Sequence, residues 1–532
     1  MGVEMTAEGS VPMKKTQMRW IGAGLIAIAV LLRVVFLTSI PLRVHPDEAG
    51  LGLNAWTLAE FGTDRYGNFL PVCPLNFYGE QSAFYTYFCA LLVKLFGLNL
   101  ATLRAPAVVM GLAAVLFGAG LIREEWKEEG ALWGLFLFGT APWFVAASRY
   151  ALDCNSMLGM SAIALFFWQR LCRRASSEEE EKHYGGFFLV GVLFGAILYT
   201  YIIAAITVVV FWLLSGLFYW LYRREGRGKR FRQLCFAAVP LLLMAIPLVL
   251  VVCVNTFGWE TIRTPFFTVP RLLENRTAEV GLSFPAIREK LMALVHVLTT
   301  DGIYGSPANE WNLFRISVPF MLVGGVHSLV ETIRCFRERR QSLHPYLIFW
   351  CAGSVVTMFL CGTYTYHVNG IFAALVCFVV DGIVLAASKL RSIRTEKIFL
   401  WILACLYVLS AVRACRAYFV NAAGDAYQIY GGVQAALDSL EGSQREKEVY
   451  IPDEIGEIYF LSDPLTPEEV MGDCDAYGMV RDHGRLHFRM PETYDRDVIF
   501  ILNEKSVFRP DAVWGRDYSE KKVGHYVVLW CE

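Results

Sequence analysis

Apolar runs of about twenty residues recur along this chain, separated by short basic clusters, and that alternation constrains the fold more than any other feature. About twenty apolar residues in a helix cross a hydrocarbon core of roughly 30 Å. A helix also satisfies its backbone polar groups where water is absent. The runs fall near 21–40, 105–122, 131–147, 154–171, 185–201, 203–222, 234–254, 313–333, 346–361, 371–388 and 398–416. The pattern predicts a polytopic α-helical membrane protein with about 11 transmembrane helices. At 55% hydrophobic and 14% aromatic residues, a soluble globular chain is excluded.

The charges orient the runs. Basic clusters stand at 170–174 (RLCRR), 222–232 (YRREGRGKRFR), 334–340 (RCFRERR) and 389–397 (KLRSIRTEK), and Lys14, Lys15 and Arg19 precede the first run. Loops 41–103, 148–153, 255–312 and 361–370 are poorer in Lys and Arg. The positive-inside rule then places the N-terminus in the cytoplasm and the C-terminus outside a multi-pass plasma-membrane protein. No cleavable signal peptide is evident, and the first run reads as a retained helix. Segment 82–98 (SAFYTYFCALLVKLFGL) breaks the parity if it crosses. It reads as an interfacial or re-entrant helix, with Phe84, Tyr85, Tyr87 and Phe88 at headgroup level; a full span is the alternative.

After residue 417 the composition turns polar. Residues 418–532 suffice for a small extracytoplasmic α/β domain beside the membrane unit 1–417. A helix is expected at 425–440, and strands at 448–451, 455–461, 497–502 and 524–530. The fourteen cysteines form no CxxC pair and no zinc-like spacing, so most read as small core hydrophobes. Cys474 and Cys531, in the polar tail, have a disulfide as one open reading.

The candidate chemistry collects on the outer side. Segment 41–50 (PLRVHPDEAG) sets Asp47 and Glu48 where the first helix meets water. Carboxylates at such a boundary are costly unless paired or used; the alternative is a helix N-terminus capped by Asp47. The same loop holds His45, Asp64, Arg65 and Glu80. Residues 148–155 (SRYALDCN) put Arg149 and Asp153 about one helical turn apart. The loop 255–312 adds Arg263, Arg271, His296 and Asp301, and Arg104 stands beside Pro106 at a helix start. Arginines with carboxylates suit a reaction on a membrane-anchored phosphate, arginine steadying the phosphate while a carboxylate takes a proton. Arg104 as an interfacial anchor is the competing reading.

These residues resemble a family. An acidic pair after the first membrane helix is similar to that of GT-C glycosyltransferases, most of all the branch of protein O-mannosyltransferases and lipid A aminoarabinose transferases (family 39-type). Segments 95–110 (LFGLNLATLRAPAVVM) and 149–153 (RYALD) resemble motifs of that branch, and 311–329 and 366–382 resemble looser ones. The likeness covers roughly residues 20 to 390 and not the tail. The lipid A enzymes carry a Glu-Lys-Pro-Pro-like stretch where this chain has GEQSA at 79–83, with Glu80 matching the Glu alone. The acceptor is therefore open among protein, lipid and cell-envelope glycan.

The resemblance implies inverting transfer of a hexose or pentose from a polyprenyl-phosphate donor, with Asp47 as general base. Glu48 and Asp153 join it as catalytic candidates, and Arg104, Arg149, Glu80 and His45 as substrate-binding ones. Arg104 and Arg149 would lie near the donor phosphate, a leaving group stable enough as an anion to need no general acid. Asp153 has three open roles: orienting the acceptor, holding Arg149, or helping to bind a divalent cation. No cofactor is certain, no metal ligand set is assigned, and nothing calls for nucleic acid. The alternative is a secondary transporter, which would need paired polar residues near the bilayer midplane and a visible internal repeat.

Overall fold

The computed structural model describes residues 15–77, 79–175, 184–272, 288, 290, 292, 295, 311–361, 364–390, 392–421, 429–508, 514, 515 and 517–531. The first helix, α1 (Lys15–Val34), is followed by α2 (Pro46–Phe61), a hairpin of β1 (Leu75–Asn76) and β2 (Gly79–Glu80), and α3 (Ala83–Phe96). Then come α4 (Leu100–Thr140), the short α5 (Pro142–Ala147), α6 (Ser156–Arg174), α7 (Tyr184–Leu198), α8 (Ala204–Leu221) and α9 (Arg227–Phe257). The remaining long helices are α10 (Ser317–Glu338), α11 (His344–Cys361), α12 (Ile371–Ser388) and α13 (Ile393–Asn421). Helix α4 packs on α1, α6 and α12; α10 packs on α12, α7 on α9, and α8 on α11. Each expected apolar run falls on a helix, with α4 serving two of them across a bend at Trp126 and Lys127. Seven helices among the described residues are long and apolar enough to cross a membrane: α1, α4, α8, α9, α11, α12 and α13. This is a multi-pass membrane protein. Leucines, valines and phenylalanines stay exposed along the outward faces of α1, α9, α10 and α13, as lipid-facing helices require.

Segment 82–98 forms α3, whose 14 residues rise only about 21 Å, less than a crossing needs. It lies against α2 and α4.

The expected run 131–147 is broken, and the break explains a buried charge. Proline has no N–H, so Pro142 cannot donate to the Phe138 carbonyl four residues back. The Trp143 N–H turns away to Asn312 O (3.2 Å), which also leaves Gly139 O without its helical partner. Arg33, wholly buried near the end of α1, donates to both, Nη2 to Phe138 O (2.9 Å) and Nη1 to Gly139 O (2.9 Å), and Nε to Ser148 Oγ (3.1 Å). A charged residue inside an apolar bundle is thus accounted for by hydrogen bonding the backbone.

A short hairpin of β3 (Ile262–Arg263) and β4 (Thr268–Val269) follows α9, and the tail builds a six-stranded sheet. Its members are β5 (Glu448–Tyr450), β6 (Asp482–His483), β7 (Leu486–His487), β8 (Val498–Asn503), β9 (Ser519–Val523) and β10 (Tyr526–Trp530), in the order β6-β7-β5-β8-β10-β9. Of the helix expected at 425–440, the described part runs Gly432–Asp438. The strand expected at 455–461 is instead a one-turn helix, Gly456–Tyr459, which turns Glu457 and Ile458 inward. Burial of Glu457 on an arginine overrides the local β-propensity. Cys474 and Cys531 are both free thiols. The boundary expected at 417 falls inside α13, which continues to Asn421. One apolar cluster joins Leu51, Leu53, Tyr85 and Leu103 of the first loop and α4 to Ile458, Leu461, Val470 and Tyr526 of the tail. The tail and the first loop therefore share a core.

Candidate functional site

The sequence PLRVHPDE folds into a capped helix start. His45, not Asp47, is the N-cap of α2: its Nδ1 accepts the Asp47 N–H (3.2 Å), and Glu48 Oε2 accepts the His45 N–H (3.4 Å). Pro46 occupies the first turn, where no intrahelical N–H bond is lost. The cap orients the two carboxylates differently. Glu48 is fully buried, and Arg104 donates to it twice, from Nε to Oε1 (2.8 Å) and from Nη2 to Oε2 (3.0 Å). Glu48 Oε1 also accepts the Ala151 N–H (2.9 Å). Asp47 keeps a side chain 54% exposed, with His45 Nδ1 3.5 Å from Oδ2 and the Asn76 amide donating to Oδ1 at 3.5 Å. One carboxylate is spent on structure; the other is open to a substrate.

The arginines expected at a phosphate are committed elsewhere. Arg104 Nη1 donates to Leu37 O and Pro41 O (both 2.9 Å), and its Nη2 also reaches Arg43 O (3.1 Å). With the Glu48 bonds, every guanidinium nitrogen is engaged. Arg149 donates to Leu32 O (2.8 Å), Val35 O (2.9 Å), Phe36 O (3.0 Å) and Ile40 O (2.6 Å). Arg149 satisfies carbonyls where α1 ends, at the negative pole of its dipole, and Arg104 holds the segment 37–43 that follows. Every guanidinium nitrogen of both residues is thus engaged within the protein. The residue that sequence reasoning passed over is Arg43, inside the quoted segment itself. Its side chain is exposed and makes no hydrogen bond or ion pair among the described residues, and its charge acts on both His45 and Tyr150.

Arg149 and Asp153 diverge rather than share a helical face, because 148–152 is irregular. This also removes the expected role of Asp153 in holding Arg149. Asp153 opens a 3-10 turn (Asp153–Asn155), and its carboxylate accepts the Ser82 N–H (2.9 Å) and the Cys154 N–H (2.7 Å). Ser82 caps α3, so Asp153 anchors that helix by its N-terminus. Burial pushes the Asp153 pKa up to about 6; the two N–H donors oppose the rise, and the charge of Asp47 adds to it. Burial likewise raises the Tyr201 phenol, which feels both Asp153 and Asp47. Glu80 contributes a buried carboxylate oxygen, Oε2, that has no hydrogen-bond partner among the described residues. Asp47, Asp153 and Tyr201 thus bring acidic and phenolic groups together beside the first loop, and Glu80 and Asp153 both act on the nearby Cys73. His45 is held neutral by burial, the Asp47 charge opposing.

The raised Asp153 value has a testable sign. An exposed aspartate titrates near ~3.9, so the folded protein holds this proton more tightly than the unfolded chain. The resulting stabilisation is full below about pH 4 and is lost as pH rises through about 6. The melting temperature of the wild type is expected to fall relative to that of Asp153→Asn across this window. A wild type that instead gains on the variant would show that the N–H donors outweigh burial.

A line of buried polar contacts ties the tail to Asp47. Glu457 and Arg65, both without exposed side-chain surface, form an ion pair at 3.6 Å. Arg65 Nη2 donates to Asn76 Oδ1 (3.1 Å), and Asn76 in turn donates to Asp47. Gly50 makes room for this: a Cβ there would lie 1.9 Å from Asn76 Oδ1. Asp64 accepts the Tyr66, Asn68 and Leu75 N–H groups and shapes the loop around it. Arg263 and Arg271 are exposed near a separate hairpin, Arg271 pairing with Glu260 (3.4 Å). His296 and Asp301 lie outside the described residues. A hollow of about 710 Å³ is lined by tail residues alone, among them Asp438, Arg445, Tyr459, His483 and Arg485.

No protein-family model matches the chain, and no curated protein matches it by sequence. Solved structures do match. The crystal structure of ArnT from Cupriavidus metallidurans in the apo state superposes with a TM-score of 0.54 at 12% identity, over 97% of this chain and 98% of that one. The same protein bound to undecaprenyl phosphate gives 0.52 at 13% identity, over 96% and 98%. The chain has the GT-C fold. A lesser likeness, 0.49 at 11% identity over 92% of this chain and 70% of that one, extends to the archaeal oligosaccharyltransferase AglB from Archaeoglobus fulgidus in complex with an inhibitory peptide and a dolichol-phosphate. The GT-C match runs nearly the whole length of the chain and so includes the tail, which the sequence resemblance left out.

Proposed function

We propose that this protein is a membrane glycosyltransferase that moves a sugar from a polyprenyl-phosphate donor to a hydroxyl acceptor outside the cytoplasm, with Asp47 as general base. The observation that carries the proposal is the split fate of the acidic pair: Glu48 is locked on Arg104, while Asp47 stands open beside Asp153 on a GT-C fold. Support for the donor class comes from the structurally similar ArnT, solved with undecaprenyl phosphate. In the proposed reaction the acceptor oxygen attacks the anomeric carbon as Asp47 takes its proton. The bond from that carbon to the phosphate oxygen breaks, and the polyprenyl phosphate leaves as an anion with inverted configuration at the sugar. Arg43, whose side chain makes no hydrogen bond or ion pair among the described residues, is the cation we assign to neutralise that anion. Asp153 holds α3 and the acceptor side of the loop. The N-terminus is proposed to be cytoplasmic and the tail external, with about 11 crossings following the charge pattern.

The test is to incubate purified protein with a panel of polyprenyl-phosphate sugars and measure release of lipid phosphate. One donor class is expected to turn over in the presence of a hydroxyl acceptor. Arg43→Ala is expected to weaken donor binding about tenfold or more, since a charge-assisted contact contributes about 1.5–3 kcal/mol. Absence of lipid-phosphate release with every donor would overturn the reading.

A further inference from the structure

A second cluster of reactive side chains lies toward the other end of the helices. Asp381 follows Asn369, which bonds Cys154 O on the outer side, by about 18 Å of helical rise. Beside it, Glu125 meets Arg173, and Glu331 meets Arg334 and Arg340, so this is the end that carries the basic clusters. His327 of α10, His344 at the start of α11 and Asp381 of α12 converge there, their ligand atoms all within 4.8 Å of one another.

The contacts point to more than a helix staple. His327 Nδ1 stands 2.8 Å and His344 Nδ1 3.9 Å from the same oxygen, Asp381 Oδ2. Ser328 Oγ reaches that oxygen at 3.3 Å and His344 Nδ1 at 2.9 Å. The other oxygen, Oδ1, accepts the Trp126 indole N–H (3.1 Å). A carboxylate held at Oδ1 from behind while its Oδ2 meets two imidazole nitrogens has the form of a metal ligand set with its supporting partner. Two imidazoles and one carboxylate are the donors that zinc-class ions select. Four-coordinate zinc with ligand bonds of about 2.0–2.1 Å sets its donors about 3.3 Å apart, between the two distances observed here. Asp381 is 2% exposed, so its carboxylate oxygens depend on partners from the protein or a bound ion. His327, with a side chain 28% exposed, provides the approach. The bend of α4 serves the same cluster. Non-helical backbone at Trp126 and Lys127 brings the Trp126 ring edge-on to His344, centroids 5.6 Å apart, as its N–H meets Asp381.

We propose that His327, His344 and Asp381 bind one zinc-class divalent ion that ties α10, α11 and α12 together at the end of the bundle bearing the basic clusters. The proposal stands independently of the transferase reading.

Full-length protein in detergent is stripped with a chelator, titrated with zinc, desalted and assayed for bound metal. The wild type is expected to retain one ion per chain, and to give the visible absorption of a four-coordinate nitrogen–oxygen site when cobalt replaces zinc. At the same free zinc, Asp381→Asn and His344→Gln lose that ion. Trp126→Phe removes only the supporting N–H and weakens zinc binding about tenfold or more. A measurement on the wild type alone guards against misfolded variants: zinc should shield His327 and His344 from diethyl pyrocarbonate, read by peptide mapping. A wild type that retains no zinc, variants that retain as much as the wild type, or histidines modified equally with and without zinc would each overturn the proposal.

Discussion

Asp47→Asn is expected to lower transfer by about 10²–10⁴-fold, the usual contribution of a general base, while donor affinity and melting temperature stay close to those of the wild type. Asparagine keeps the shape of the side chain and an oxygen to accept the Asn76 amide, but it cannot take a proton from an acceptor hydroxyl. Asp47 is half in water and only lightly held, by contacts of 3.5 Å to His45 and Asn76. Little folding energy is therefore at stake, and the loss should appear in turnover alone. Turnover, donor binding and thermal unfolding measured on one preparation separate the possibilities. Near-normal turnover would remove Asp47 from the mechanism and leave it a residue of the α2 cap.

The largest stability effect is expected at the buried pair. Arg104→Ala should destabilise the protein by about 3–5 kcal/mol, because it strands a buried carboxylate. It also removes the donors for Leu37 O, Pro41 O and Arg43 O. Glu48→Gln should fall in the same direction and by less, since the amide still offers one acceptor to the guanidinium. The discriminating measurement is unfolding against donor binding. A loss of folded protein, with the folded remainder binding donor normally, identifies a structural clamp. A stability change under about 1 kcal/mol accompanied by weakened donor binding would restore Arg104 as a phosphate ligand.

The parts of the fold carried by local pattern were legible in the sequence. Twenty-residue apolar runs and basic clusters report on lipid and charge directly, so the helices fall where the runs do. The acidic pair was legible for the same reason, as charge where charge is costly. What the pattern could not show is which backbone groups lack partners. Arg104 and Arg149 read as phosphate ligands from their charge; a sequence does not display the carbonyls between 32 and 43 that they bond. Arg43 was passed over although it lies four residues from Asp47, because only the exhaustion of the other two arginines singles it out. Segment 455–461 has strand-like composition, yet Glu457 turns it into a helix through a partner nearly 400 residues away. The cluster of His327, His344 and Asp381 spans 54 residues with no motif spacing; helix packing alone assembles it.

The break in the helix at Pro142 and the cation at Arg33 also bear on how such a chain can change. A residue with an amide at 142 would reclaim the Phe138 carbonyl and leave a guanidinium in the bilayer with less to hold. An apolar residue at 33 would leave two carbonyls bare among lipid-facing helices. Either step alone passes through a worse protein, although both together need not. The two positions, more than a hundred residues apart, therefore behave as a single inherited character, and a comparison among relatives that scores them separately would count one event twice.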